Sequence, residues 1–195
     1  EGVHHGRVAE EFEVRIIDAA FNLLGMQILH VLHAEVVQHG GQRSREMLRA
    51  QTVDDVLLLE SDERYAAHSF KYFHPTEFVI TNLYRDQLTR NGHPESVFDA
   101  ILPALHPDTE LILNADDPLS SCFAIGHEKV KWFGLEHCAT DTDTPTGVYH
   151  DGAYCPVCHA PMAYDYVHYN HIGAYRCTKC GHARPKPDYA ATALN

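Results

Sequence analysis

The chain has 195 residues, 45% of them hydrophobic and 22% charged, with 15 Lys/Arg against 27 Asp/Glu and a net charge of -12. That length suits one domain, or one domain plus a small module, and the balance of apolar to charged residues supports a packed core and argues against wholesale disorder. So acidic a chain repels nucleic-acid phosphates, and no nucleic-acid partner is expected.

Between residues 8 and 37, Phe12, Ile16, Ala19, Ala20, Leu23 and Leu24 recur at the spacing of one helix face, which predicts a helix that Gly25 bends or splits. The longest apolar stretch, Ala19 to Leu29, is interrupted by Asn22, Gly25 and Gln27 and is too short to cross a bilayer, so an integral membrane protein is not expected. Glu10, Glu11 and Glu13 precede it, unlike the basic start of a signal peptide. The first residue is Glu1 rather than Met, which suggests a piece of a longer protein. His39-Gly40-Gly41-Gln42 marks a turn.

From residue 53 the pattern changes. Val56-Leu57-Leu58-Leu59 and Phe78-Val79-Ile80-Thr81 are short continuous apolar runs, as in buried parallel strands, with helical sequence at 62–72 between them. A helix is predicted over 94–105, opened by Pro94 with Glu95 in its first turn. Leu111-Ile112-Leu113 is a third strand, a short helix begins near Asp117-Pro118, and Val130-Lys131-Trp132-Phe133 is a fourth strand, stopped by Gly134. Strands alternating with helices indicate an α/β domain with a mainly parallel sheet. A polar linker, 139–147, leads to a cysteine module at 148–186, after which 188–193 reads as another strand. The organisation expected is therefore an N-terminal helical segment (1–52), an α/β unit (53–147), an inserted module (148–186) and a return strand (187–195).

The module contains Cys155-Pro-Val-Cys158, eighteen further residues, then Cys177-Thr-Lys-Cys180-Gly181. Two residues between cysteines let one tight turn aim both sulfurs at one ion, and the longer span accommodates a hairpin that returns the second pair to the first. Both spacings suit a tetrahedral zinc site. Free thiols and a rubredoxin-like iron are the competing readings; nothing else in the chain suggests electron transfer. Four thiolates leave no open position, so the zinc is structural. Gly181 permits a positive φ, and Tyr164, Tyr166, Tyr169 and Tyr175 supply apolar cover. His159, His168, His171 and His182 read as surface or hairpin residues. Cys122 and Cys138 stand alone, and a secreted disulfide scaffold would be shorter and denser in cysteine.

Three stretches follow predicted strands: Leu59-Glu60-Ser61-Asp62-Glu63, Thr81-Asn82-Leu83-Tyr84-Arg85-Asp86-Gln87-Leu88 and Leu113-Asn114-Ala115-Asp116-Asp117-Pro118. They resemble the Mur ligase middle domain. Together with the cysteine module, they make the chain similar to the MurT family, the ligase subunits of lipid II isoglutaminyl synthase. The resemblance covers about residues 53–195. It implies a cytoplasmic bacterial enzyme acting at the inner face of the membrane, with ATP and Mg²⁺ as cofactors, lipid II as substrate and a GatD-type glutaminase as partner. ATP would phosphorylate the D-glutamate α-carboxylate of the stem peptide, and ammonia from the glutaminase would attack the acyl phosphate to give D-isoglutamine.

The resemblance assigns Glu60 to Mg²⁺, places Asn82, Arg85 and Asp86 beside the phosphates and metal, and sets Asn114 against adenine; Glu60 and Asp86 are the catalytic candidates. Asp62 and Glu63 read equally as assisting that metal through outer contacts and as helix N-terminal acids, whereas Asp116 and Asp117 read as helix caps. Gln87 replaces the histidine of many Mur ligases, and no G-x-x-x-x-G-K-[ST] loop occurs anywhere in the chain. The alternatives are a non-catalytic zinc-ribbon interaction module on an α/β carrier, or another Mur-type amino-acid ligase.

Overall fold

The computed structural model describes residues 28–32, 48–53, 56–71, 73–85 and 93–192, with side chains described from Leu59 onward. Strands β1 (Ile28–Leu32), β2 (Leu48–Val53), β3 (Val56–Ser61), β4 (Glu77–Ile80), β5 (Glu110–Asn114), β6 (Val130–Leu135) and β9 (Tyr189–Ala191) form one sheet in the order β2-β3-β1-β4-β5-β6-β9. β4, β5, β6 and β9 pair in parallel, while β1 is antiparallel to both β3 and β4, and β2 to β3. Five strands therefore share one direction, which makes this an α/β fold with a mainly parallel sheet.

Two expectations need correction here. Ile28–Leu32, the tail of the helix predicted over 8–37, is a strand; the rest of that prediction lies outside the described residues. Five residues are too few to sustain a helix alone, and β3 and β4 take up the backbone hydrogen bonds on both sides. β3 is a strand as expected but has antiparallel neighbours, because β1 is interposed between it and β4.

The core lies against β4 and β5. Phe78, Ile80, Leu111 and Leu113 face Ala66 and Phe70 of the 63–71 segment and Val97 and Ile101 of α2 (Pro94–Ile101). Each of the Val, Leu, Ile and Phe side chains contributes roughly 1.5–3 kcal/mol by leaving water. Phe98 stacks on Phe123 at 4.3 Å, and Phe70 meets Phe78 edge-on at 5.9 Å. Val79 and Ile112 point to the opposite face and are buried too, which explains the unbroken apolar runs. At 62–72 the helix is a 3₁₀ turn, Glu63–Tyr65, followed by α1 (Ala66–Ser69). The helix predicted over 94–105 tightens to a 3₁₀ turn at Leu102–Ala104, where Pro103 has no N–H for the α-helical ladder.

Gly134 does not stop β6, which continues to Leu135. A Cβ at Gly134 would lie 3.0 Å from Pro187, 3.1 Å from Arg184 and 3.1 Å from Asp116, so the glycine permits close approach rather than a turn. Between β6 and β9 the chain makes an antiparallel hairpin of β7 (Met162–Tyr169) and β8 (Ile172–Cys177), with Val167, Ile172 and Tyr175 as its buried centre. At Gly173 a Cβ would sit 2.3 Å from the Tyr166 carbonyl O, so the crossing tolerates only glycine.

Candidate functional site

The hairpin ends bring the four cysteines together, with all four sulfurs within 4.8 Å of one another. Sγ of Cys155 lies 3.6 Å from that of Cys180, and Sγ of Cys158 lies 3.5 Å from that of Cys177. These separations exceed a disulfide bond. They approach the edge of about 3.8 Å that tetrahedral zinc–sulfur bonds of about 2.3 Å require. Each pair is closed by a residue in the left-handed region, His159 at φ 60° and Gly181 at φ 81°. The glycine is the device the sequence suggested, and a histidine serves in the other knuckle. N–H groups of Cys180 and Lys179 point at Cys177 Sγ from 3.4 and 3.3 Å and pull its thiol down to about 6. The donors and their surroundings fit a metal ion held by four thiolates.

Glu60, Asn82 and Asn114 all lie at or just beyond the carboxyl ends of β3, β4 and β5, on one edge of the sheet. In open α/β sheets ligands bind outside this edge. Glu60 and Asn82 are half-buried. Asn114 donates from Nδ2 to the Thr81 carbonyl O at 2.9 Å and accepts from the Asp116 N–H at 2.9 Å. One N–H and one lone pair remain for another partner. Arg85 is directed elsewhere, its Nε lying 2.9 and 2.8 Å from the two carboxylate oxygens of Asp151 and its guanidinium 5.1 Å above the Tyr149 ring. Asp86 and Gln87 lie outside the described residues.

The cysteine hairpin packs on this same edge, through groups the sequence reading missed. Asp116 accepts from Leu135 N–H at 2.7 Å and from Arg184 Nε at 2.6 Å, while its carbonyl O accepts from Gly173 N–H at 2.8 Å. It is therefore a brace between β5, β6 and the hairpin rather than a helix cap. Burial pushes its carboxyl up, against the pull of the Leu135 N–H and Arg184. Asp117 does cap, accepting from Leu119 N–H at 2.8 Å, but its second oxygen accepts from Leu83 N–H at 2.8 Å and so ties β4's exit to β5's.

Of the four histidines read as surface or hairpin residues, His159 is exposed and His168 and His171 lie in the hairpin, but three of them also make contacts with the α/β unit. His171 is 2% exposed with Nε2 3.4 Å from Asp117, His168 Nε2 faces the Leu135 carbonyl O at 3.1 Å, and His182 Nε2 meets Ser121 Oγ at 3.2 Å. Tyr84 adds ring contacts to Tyr169 at 6.0 Å and His171 at 5.2 Å. Only the spacing of the Asn-Ala-Asp-Asp stretch after a strand hinted at this cluster; its partners are too distant in sequence to leave a local trace.

No family model matches the chain. It is 30% identical over 80% of its length to the lipid II isoglutaminyl synthase (glutamine-hydrolyzing) subunit MurT of Staphylococcus aureus (strain COL), covering 35% of that protein. It is 33% identical over 74% of its length to the MurT subunit of Streptococcus pneumoniae (strain ATCC BAA-255 / R6), covering 32% of it. The chain thus spans about a third of the length of the curated relatives it matches. Among solved structures it is similar to a pseudomurein peptide ligase type C from Methanothermus fervidus, with a TM-score of 0.50 at 27% identity, over 66% of this chain and 25% of that one. With strand-end motifs of Mur type along one sheet edge and a four-cysteine hairpin packed against that edge, the chain is MurT-like, a Mur ligase-type α/β unit.

Proposed function

We propose that the chain is part of an ATP-dependent carbon–nitrogen ligase that amidates the D-glutamate α-carboxylate of the lipid II stem peptide, working with a GatD-type glutaminase at the inner face of the membrane. The observation that carries this reading is the similarity to MurT subunits over 74–80% of the chain. Among the described residues no helix is long and apolar enough to cross a membrane. In this reading residues 53–147 and 187–195, joined by strands β1 and β2 of the divergent N-terminal segment 1–52, form the α/β unit, and 148–186 the inserted ribbon.

The ribbon's four cysteines would hold a structural zinc. Mg²⁺ would neutralise charge on the phosphoryl group being transferred. Glu60, at the end of β3, is the residue offered to that ion, with Asp86 as the second carboxylate. Asn114 has the spare donor and acceptor that adenine needs. Asn82 would stand beside the phosphates. Arg85 would have to leave Asp151 to join them. The contacts of Asp116, Asp117 and Arg184 keep the strand ends fixed, so the ribbon's role is to hold this edge rigid. Co-expression with a GatD-type glutaminase tests the partnership: a protein carrying this chain within a complete MurT-like subunit should co-purify with it, and failure to do so, with both proteins folded, contradicts the proposal.

A specific pair of observations favours a second reading for the chain taken alone. Its sequence contains no phosphate-binding glycine-lysine loop, and Arg85 is committed to Asp151. Glu60 and Asp86 would then meet nucleotide phosphates without a cationic cradle. The isolated chain should show no titration heat with Mg-ATP at micromolar concentrations; micromolar affinity would mean that residues 1–52 build a phosphate site.

A further inference from the structure

Beyond the end of β6, three side chains of different chemistry converge away from the cysteine ribbon. Cys138 and Asp141 sit on one tight turn, closed by the Asp141 N–H donating to the Cys138 carbonyl O at 3.1 Å. Thr142 and Val167 exchange two backbone hydrogen bonds of 2.8 Å, which pins the turn to β7 and sets His168 over it. Cys138 Sγ lies 2.9 Å, and His168 Nδ1 2.6 Å, from the same oxygen, Asp141 Oδ1. The three candidate donor atoms lie within 4.8 Å of one another. The Cys-x-x-Asp spacing repeats that of the ribbon's Cys-x-x-Cys knuckles.

The remaining polar atoms of two of these groups are already engaged. His168 Nε2 faces the Leu135 carbonyl O at 3.1 Å, which requires an N–H there and directs Nδ1 inward. Asp141 Oδ2 accepts the Cys138 N–H at 2.8 Å, which leaves Oδ1 for the centre. Metal-binding histidines and carboxylates are held in this way, by backbone groups on the atom that does not bind. The His168 and Asp141 side chains are 5% and 1% exposed, whereas Cys138 is half-buried, so the centre opens to solvent on one side only.

We propose that Cys138 Sγ, Asp141 Oδ1 and His168 Nδ1 form a second metal site for a single zinc-class divalent cation, separate from the four-cysteine site. The fourth position is taken by solvent or by the hydroxyl of Thr140, whose Oγ1 lies 3.2 Å from Cys138 Sγ. A donor set of thiolate, imidazole and carboxylate suits zinc; magnesium and calcium prefer oxygen throughout. Binding needs Cys138 as the thiolate and the His168 Nδ1 lone pair free, so affinity rises with pH. The site locks the linker turn to β7, and through Leu135 to β6, at the point where the hairpin leaves the sheet. It does not depend on the ligase assignment.

The test is an anaerobic cobalt(II) titration of the reduced chain. The wild type should saturate at two equivalents, with thiolate-to-cobalt absorption from the four ribbon cysteines and Cys138 together. Cys138→Ala, on a half-exposed turn, should saturate at one equivalent and lose about a fifth of that absorption, with one thiolate removed. A wild type that saturates at one equivalent, or a variant that still takes two, overturns the site. Should the variant not fold, alkylation of the wild type decides: Cys138 should label with one equivalent of zinc present and be protected by the second. Equal labelling in both states overturns the proposal.

Discussion

Replacing Asp117 by alanine tests whether the strand-end edge is held as described. The carboxylate is fully buried and accepts the Leu83 N–H at 2.8 Å on one oxygen and the Leu119 N–H at 2.8 Å on the other. Removing it leaves the Leu83 N–H without its partner 34 positions away in the chain. A hydrogen bond to a charged group contributes about 1.5–3 kcal/mol, and loss of a capping side chain costs about 1 kcal/mol. The sum is about 2.5–4 kcal/mol, which for a chain of this size is a fall in melting temperature of about 5–16 °C. Asp117→Asn should fall in between, because its amide oxygen can serve one N–H while its NH₂ faces the other. Thermal and urea unfolding read both variants. A fall below about 2 °C for the alanine variant would mean that the edge does not depend on this carboxylate, and would remove the reason for placing Asp117 in the scaffold.

Other features of the chain give independent checks. Burial, and then the neighbouring Glu110 across the parallel ladder, raise the Glu77 carboxyl above the usual carboxylate range. The folded state thus holds its proton more tightly, so stability falls as pH rises from the unfolded carboxylate pKa through the raised folded value. Glu77→Gln should flatten that fall and gain about 0.5 kcal/mol at pH 7, read by urea unfolding; an unchanged pH profile contradicts it. Burial pushes the Cys122 thiol up to about 12, so it should resist alkylation by iodoacetamide at pH 8 in the folded chain and react once the chain is unfolded; rapid labelling in the native state contradicts this. Gly173→Ala should disrupt the β7–β8 crossing, where its Cβ would meet the Tyr166 carbonyl O at 2.3 Å, with loss of metal from the ribbon as the readout. Retained metal with an unchanged melting temperature would show that the hairpin can absorb the methyl group.

What the sequence made legible followed local signals. The two Cys-x-x-Cys pairs, the glycine after the second, and the apolar runs that become β4, β5 and β6 each carry their pattern within a few residues. β1 and β2 lay beyond that reach. Ile28–Leu32 comes at the end of a stretch whose helical spacing runs over Phe12 to Leu24, and it is a strand because β3 and β4 lie on either side of it. Asp116 illustrates the same limit at the site. As the first acid of an Asp-Asp-Pro turn it resembles a helix cap, and only the return of Arg184, 68 residues later, makes it a brace. Cys138 and His168 read as a lone cysteine and a hairpin residue because their convergence depends on the pairing of Thr142 with Val167.

The most direct measurement is the reaction itself. A complete MurT-like subunit carrying this chain, supplied with a GatD-type glutaminase, glutamine, Mg-ATP and lipid II, should yield lipid II whose D-glutamate is amidated, detected by mass spectrometry of the released stem peptide. The same assay with Glu60→Ala should yield none while the folded complex is retained. Ligation of a free amino acid with no glutaminase present, or full amidation by the Glu60→Ala protein, would contradict the account.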